Sequence, residues 1–164
     1  MSGHDLVLHE EEFTRIRDVL SRLRGECNAK VVFLVDKNGQ QIAAIGELTS
    51  IDTTALASLA AGNVAATDSL ARLIGEKEFS VLFHEGERDN LHISVVGGRV
   101  ILVVIFDERA SLGLVRLRVK RGTNELAAIL DVMLKKSAAP RKAGAGGSPF
   151  AEITDEDIDK LFSD

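Results

Sequence analysis

The residues best able to do chemistry are few in this chain. Two histidines, His84 and His92, flank a predicted turn around Arg88 and are placed to face each other across a hairpin. A zinc site takes at least three protein ligands, so a partly exposed cross-strand pair is the simpler interpretation. The sequence has no G-x-x-x-x-G-K-[ST] phosphate loop, no G-x-S-x-G elbow and no H-E-x-x-H motif. We therefore predict no catalytic residues, no bound metal and no cofactor, and hence no enzyme.

A line of small side chains is the second unusual feature. Residues 53–75 have helical periodicity, and Ser58, Gly62, Ala65 and Ser69 fall on one line at 100° per residue. A glycine inside a helix costs about 1 kcal/mol relative to alanine. Such a flat line indicates that another surface approaches closely, either a docked partner or a neighbouring helix. Roughly opposite this line, where we expect the core, lie large apolar residues: Leu56, Leu59, Leu70 and Ile74.

Length and composition fit one domain with a tail. The chain has 164 residues, of which 45% are hydrophobic, enough to bury a core. The single cysteine, Cys27, fits a reducing compartment. There is no tryptophan or tyrosine for stacking on bases, no signal-peptide pattern at the start and no apolar run of membrane-spanning length. We expect a cytoplasmic protein that does not insert into a membrane.

The negative charge is concentrated at the end of the chain. Residues 148–164 contain six acids and one base, which gives this segment a net charge of −5, equal to that of the whole chain. The remaining residues are neutral in sum, and nucleic-acid binding needs a basic surface. We therefore exclude nucleic acid as the main partner and divide the chain into a domain (1–136), a flexible Gly- and Ala-rich linker (137–147) and an acidic tail (148–164).

The elements that position these residues follow from periodicity and turn signals. Residues 10–26 form an amphipathic helix, and the Asn38-Gly39 pair joins strands at 29–36 and 40–47. The central helix follows, capped by Asp52 or Thr53. Three more strands begin near Phe79, Leu91 and Arg99. Val115, Leu117 and Val119 alternate as in a strand, but over residues 111–136 a helix fits better, with Gly122 as a weak point.

The order helix, two strands, helix, three strands, helix predicts an α+β fold. The simplest packing is a five-stranded antiparallel sheet with the central helix on one face and the terminal helices on the other. Phe79, Val81 and Phe83 alternate along a strand that we expect at the sheet edge. An apolar edge of this kind favours pairing with a second copy, so we predict a homodimer.

Several long segments in this order resemble the roadblock/dynein-light-chain family. They are KVVFLVDKNGQ, IDTTALASLAAGNVAA, LARLIGE and VVIFDERASLGLVRLRVK, and the resemblance covers roughly residues 10–136. No single one of these segments is diagnostic; their order is. Within the family, the tail GSPFAEITDEDIDKLFSD is similar to that of bacterial regulators of cell polarity and motility.

The resemblance implies a roadblock-like α/β sandwich in which two copies share a continuous sheet and place their central helices side by side. It also implies that this helical platform binds a Ras-like small GTPase of the MglA type and accelerates GTP hydrolysis. GTP and Mg²⁺ would then be held by that partner. The expected location is the cytoplasm, at a cell pole. The GTPase-binding residues expected on this basis are Ser58, Gly62, Ala65, Ala66, Ser69 and Arg72.

Three arginines are candidates for a residue inserted into the partner's active site. Arg72 lies nearest the platform, and Arg109 and Arg116 are the others. An arginine finger neutralises charge that develops on the transferred phosphate. The family resemblance instead implies activation by repositioning catalytic residues of the GTPase itself. Surface ion pairing is therefore the expected role of all three.

The tail has a helical pattern of its own. Thr154 and Asp157 resemble a capping box, and the apolar residues recur at helical spacing. A helix this short is marginal alone, so its apolar face indicates docking on a partner or on its own domain. The resemblance implies a second GTPase contact that promotes nucleotide exchange. The tail residues expected to bind are Phe150, Ile153, Ile158, Leu161 and Phe162.

Two functions remain open from the sequence. The first is a homodimeric GTPase-activating regulator, and the second is a roadblock scaffold that holds a GTPase or polarity proteins without changing hydrolysis. Both need the same platform, so the sequence does not separate them.

Overall fold

Three helices and five strands follow one another in the predicted order. The computed structural model describes residues 10–143. The helices are α1 (Glu10–Cys27), α2 (Thr53–Leu73) and α3 (Leu112–Ala143). The strands are β1 (Val31–Asp36), β2 (Gln41–Gly46), β3 (Val81–Glu85), β4 (Asn90–Val96) and β5 (Val100–Phe106). The predicted α-β-β-α-β-β-β-α fold class is confirmed.

The strands form one antiparallel sheet in the order β2-β1-β5-β4-β3. The predicted hairpin joins β1 to β2, and its Gly39 has a φ of 90°, a conformation that a side chain strongly disfavours. Because β1 pairs with β5 as well as with β2, the strands β2 and β3 are the two edges of the sheet. The predicted edge strand β3 is thus at an edge.

Helices cover both faces of the sheet, as predicted. Side chains alternate along β1, so Val32 and Leu34 pack with α1 and α3, whereas Val31, Phe33 and Val35 pack with α2. Each face therefore has its own apolar layer. The apolar layer between α2 and the sheet holds that helix, with its line of small side chains, in place.

Gly122 allows α1 and α3 to pack closely, and the helix continues through it without a break. A Cβ at this position would lie 2.6 Å from Leu23 Cδ1, and Leu23 is almost fully buried. The predicted weak point is therefore a contact point. Farther along, Lys136 Nζ donates a hydrogen bond to the buried Glu12 carboxylate and ties the two helices together again.

The last helix extends beyond the predicted start of the linker. It continues to Ala143, whereas the sequence places a flexible linker from residue 137. Residues 138–143 are alanine, lysine and arginine apart from Pro140, and proline disfavours a helix interior, so composition alone does not explain the extension. The division into domain, linker and tail stays a prediction. The tail residues Phe150, Ile153, Ile158, Leu161 and Phe162 lie outside the described residues.

Candidate protein-binding surfaces

Helix α2 is held on the sheet by small side chains. Asp52 caps its first turn, where its carboxylate accepts a hydrogen bond from Ala55 N–H at 3.0 Å. The buried residues of the helix are Ala57, Ala60, Ala61, Val64 and Ala71. These short side chains let the helix backbone approach the β1 and β5 side chains beneath it.

The expected core face of α2 is wrong. Leu59, Leu70 and Ile74 are 72%, 58% and 70% exposed, and only Leu56 is partly buried. The sheet already supplies the bulky side chains Phe33, Ile101 and Val103, so little depth is left between sheet and helix. Alanines fill that space and leucines do not. The large residues, together with Leu73 at 82% exposure, instead form an outward apolar row.

The line of small side chains is exposed beside this row. Ser58, Gly62, Ala65, Ala66 and Ser69 are all exposed. Among the described residues, a Cβ at Gly62 would meet nothing within 4 Å, and Ser69 Oγ donates to its own helix, to the Ala65 carbonyl at 3.3 Å. Packing within the described domain therefore does not explain the flat line. We define the α2 platform as this exposed side of α2. It consists of the small residues Ser58, Gly62, Ala65, Ala66 and Ser69 and the leucines Leu59, Leu70 and Leu73.

The three candidate arginines are far apart in the fold. Arg72 is exposed at the end of α2, on the platform side. Arg109 follows β5 and pairs with Asp107 through Nε at 3.0 Å, which raises the pKa of Arg109 and lowers that of Asp107. Arg116 lies on α3, across the sheet from α2. Of the three, only Arg72 shares a surface with the small side chains.

The edge strand β3 presents free backbone groups as well as apolar side chains. Val95 N–H donates to the Ser80 carbonyl at 3.0 Å, so the backbone groups of Val81 and Phe83, one and three residues on, point away from β4. Val81 is 48% exposed, and Phe83 is partly buried by stacking on Phe106 at 6.2 Å. Phe79 lies before the first residue of the strand. This edge is open to pairing with another strand.

The two histidines do not face each other, contrary to the prediction. His84 pairs with Leu91 and His92 with Phe83, so the register is offset by one residue and the imidazoles point to opposite faces. His84 Nε2 lies 3.2 Å from Asn63 Nδ2 on α2. His92 is buried, with Nδ1 3.3 Å from Ser94 Oγ. Within residues 10–143, no three histidine, cysteine or acidic side chains form a group able to hold a metal ion.

A cavity of about 560 Å³ lies between α3 and the β3–β4 hairpin. His92 and Ser94 form its polar floor, Val81 and Val119 its apolar walls, and two cations, Arg116 and Lys120, line it from α3. Burial, and to a lesser extent Arg116, lower the pKa of His92. We call this feature the α3–β4 cavity. Sequence patterns gave no sign of it, because its walls come from separate elements.

No helix in the described part of the chain is long and apolar enough to cross a membrane.

The fold and these surfaces define the class of protein. A family model for the Roadblock/LC7 domain matches residues 15–106, and the chain belongs to that family. The resemblance found in the sequence is thereby confirmed.

Solved structures place the chain among MglB-like roadblock proteins. Myxococcus xanthus MglB is 60% identical, with coverage of 78% of this chain and 96% of that one and a TM-score of 0.74. The gliding protein MglB from Thermus thermophilus is 38% identical over 77% and 96% of the two chains, with a TM-score of 0.73. A further MglB, described as having a tetrameric arrangement, is 36% identical over 79% and 97%, with a TM-score of 0.75. No curated protein sequence matches the chain.

Proposed function

We propose that this chain is a homodimeric regulator of a Ras-like small GTPase of the MglA type and accelerates GTP hydrolysis by that partner. The observation that carries the proposal is the α2 platform. It combines exposed small residues, which allow close approach, with exposed leucines that a monomer has no reason to leave in water. The similarity to MglB proteins supports the same conclusion.

The chemistry of the chain indicates which roles belong to this protein and which belong to the GTPase. The sequence has no phosphate loop, so GTP and Mg²⁺ belong to the partner. Activation then acts through contacts of the α2 platform that reposition catalytic groups of the GTPase. The tail adds a second contact that promotes nucleotide exchange, and the protein acts in the cytoplasm at a cell pole.

The decisive experiment is a single-turnover GTPase assay with the MglA-type GTPase, with and without this protein. We expect hydrolysis to be accelerated, and the Arg72→Ala variant to keep the accelerated rate within about tenfold, because an inserted arginine finger would be worth about 10³–10⁵ in rate. Arg121→Ala, on an exposed part of α3, is the matched control. Binding without acceleration would identify a scaffold, and a thousandfold loss in Arg72→Ala would identify an arginine finger.

A homodimer through β3 is expected at micromolar concentration in light scattering. The Val81→Pro variant should be monomeric, since proline removes the outward N–H and is tolerated on an edge whose N–H does not pair within the sheet. Val81→Ala, which keeps the backbone donor, should stay dimeric. A wild-type monomer would contradict the dimer, and a dimeric Val81→Pro variant would place its interface elsewhere.

A further inference from the structure

We propose that the acidic tail, residues 148–164, docks in the α3–β4 cavity of its own domain. The tail then completes the helical layer on that face of the sheet. This inference concerns the protein alone and does not depend on the proposed GTPase function.

The first argument is an incomplete layer. On this face α1 packs over β1 and β2, and α3 packs over β4. Neither helix fully covers the edge strand, and Val81 remains 48% exposed beside the cavity. A short amphipathic helix laid next to α3 would cover that apolar surface, as helices do in apolar grooves.

The second argument is charge complementarity. Arg116 and Lys120 line the cavity, and none of the residues within 10–143 that line it is acidic. The lowered pKa of the buried His92 keeps its imidazole neutral near pH 7, so the two α3 cations set the charge of the cavity. The tail carries six acids and one base around Ile158, Leu161 and Phe162. Its apolar side chains match the valine walls, and its carboxylates match the basic rim.

The third argument is reach. From the end of α3 at Ala143 back to Thr123, beside the cavity, the helix spans 20 residues, or about 30 Å at 1.5 Å per residue. Residues 144–157 can span at most about 46–50 Å when extended. The tail can therefore return along α3 to the cavity. The tether also supplies an effective concentration near the millimolar range, so that weak docking is populated.

Pairing of β3 with a second copy does not block this site. That pairing uses the outward backbone groups of Val81 and Phe83, whereas the cavity opens on the face toward α3. In the dimer, each cavity lies close to the joined edges. The apolar face of the tail cannot bind the cavity and a GTPase at the same time. Docking in the cavity would therefore compete with binding of the tail to a partner.

Paramagnetic relaxation in the full-length protein tests the proposal. A nitroxide is attached to Ser163→Cys, and labelling is selective because Cys27 is fully buried and burial raises the pKa of its thiol to about 11. We expect loss of amide signal at Ser94, Thr123 and along β3, and no loss at Arg15 on the remote part of α1. Signal loss on α2 instead, or no selective loss anywhere, would overturn the proposal.

Two sets of variants test the chemistry of docking. Arg116→Glu with Lys120→Glu should restore the lost amide signals, because both cations become repulsive to the tail. Arg121→Glu with Lys135→Glu, at exposed positions on the same helix, is the matched charge control and should not restore them. Phe162→Ser should also release the tail. If the cavity variants keep the full loss of amide signal, the tail does not dock in the cavity. This result is independent of GTPase activity, so it tests docking separately from the proposed function.

Discussion

Replacing Ala65 by arginine is expected to weaken binding of the GTPase strongly while leaving the domain folded. Ala65 is exposed in the middle of the small side chains, so a long charged side chain there would block close approach. A standard interface covers about 800 Å² per partner, and disruption near its centre typically costs about 2–4 kcal/mol, or about 30- to 1,000-fold in affinity. Titration calorimetry or fluorescence anisotropy with the GTPase measures this loss. Ser69→Arg should behave in the same way.

The fold should tolerate both variants, because arginine favours helix and neither residue packs inside the described domain. Leu117→Arg is the matched control, since Leu117 is 63% exposed on α3, on the other side of the sheet. It should bind normally. Unchanged affinity of Ala65→Arg would contradict the docking role. A monomeric variant would show that the small side chains serve self-association, and an unfolded variant would show that they serve packing within the domain.

The apolar face of the tail is expected to dominate its effect on nucleotide exchange. Burying a leucine or phenylalanine is worth about 1.5–3 kcal/mol each, whereas an exposed charge pair is worth about 0–1 kcal/mol. Leu161→Ala with Phe162→Ala should therefore weaken the tail contact by about 100-fold or more. Stopped-flow release of a fluorescent nucleotide from the GTPase measures the result.

Charge reversal at Asp155 and Glu156 is the matched comparison and should have a much smaller effect on exchange. If only charge reversal slows exchange, the tail acts through its charges, and the hypothesis that it docks through an apolar helical face is wrong. Arg116→Glu with Lys120→Glu separates this role from docking in the α3–β4 cavity. Freed tails should support exchange at least as fast as the wild type.

Much of the fold could be read from the sequence because its signals are local. Apolar spacing in residues 10–27, the Asn38-Gly39 turn and the β-branched run before Phe106 each depend on neighbours in the chain. They gave the number, type and order of the elements, and the packing of helices on both faces of the sheet followed from the short connections. Gly62 and Ala65 were also identified correctly as parts of an unusually flat helix surface, since helical spacing alone places them on one line.

The orientation of α2 was decided by the tertiary structure. Leu59 and Leu70 were expected to point inward because large apolar side chains usually do. The sheet beneath the helix is already filled by Phe33 and Ile101, so the space fits alanines and the leucines face outward. The helical spacing of Ala57, Ala60, Ala61 and Val64 could have indicated the buried face of α2. Alanine is less hydrophobic than leucine, so the leucines dominated the prediction.

Register and distant packing also lay beyond the sequence. A shift of one residue between β3 and β4 puts His84 and His92 on opposite faces, and no local signal fixes that shift. Gly122 resembled a weak point, yet its role depends on Leu23, which lies about a hundred residues earlier. The α3–β4 cavity exists only because α3 stops short of covering the edge strand. What the sequence determined was therefore the set of elements and their order, whereas the facing of side chains depends on volumes contributed by distant parts of the chain.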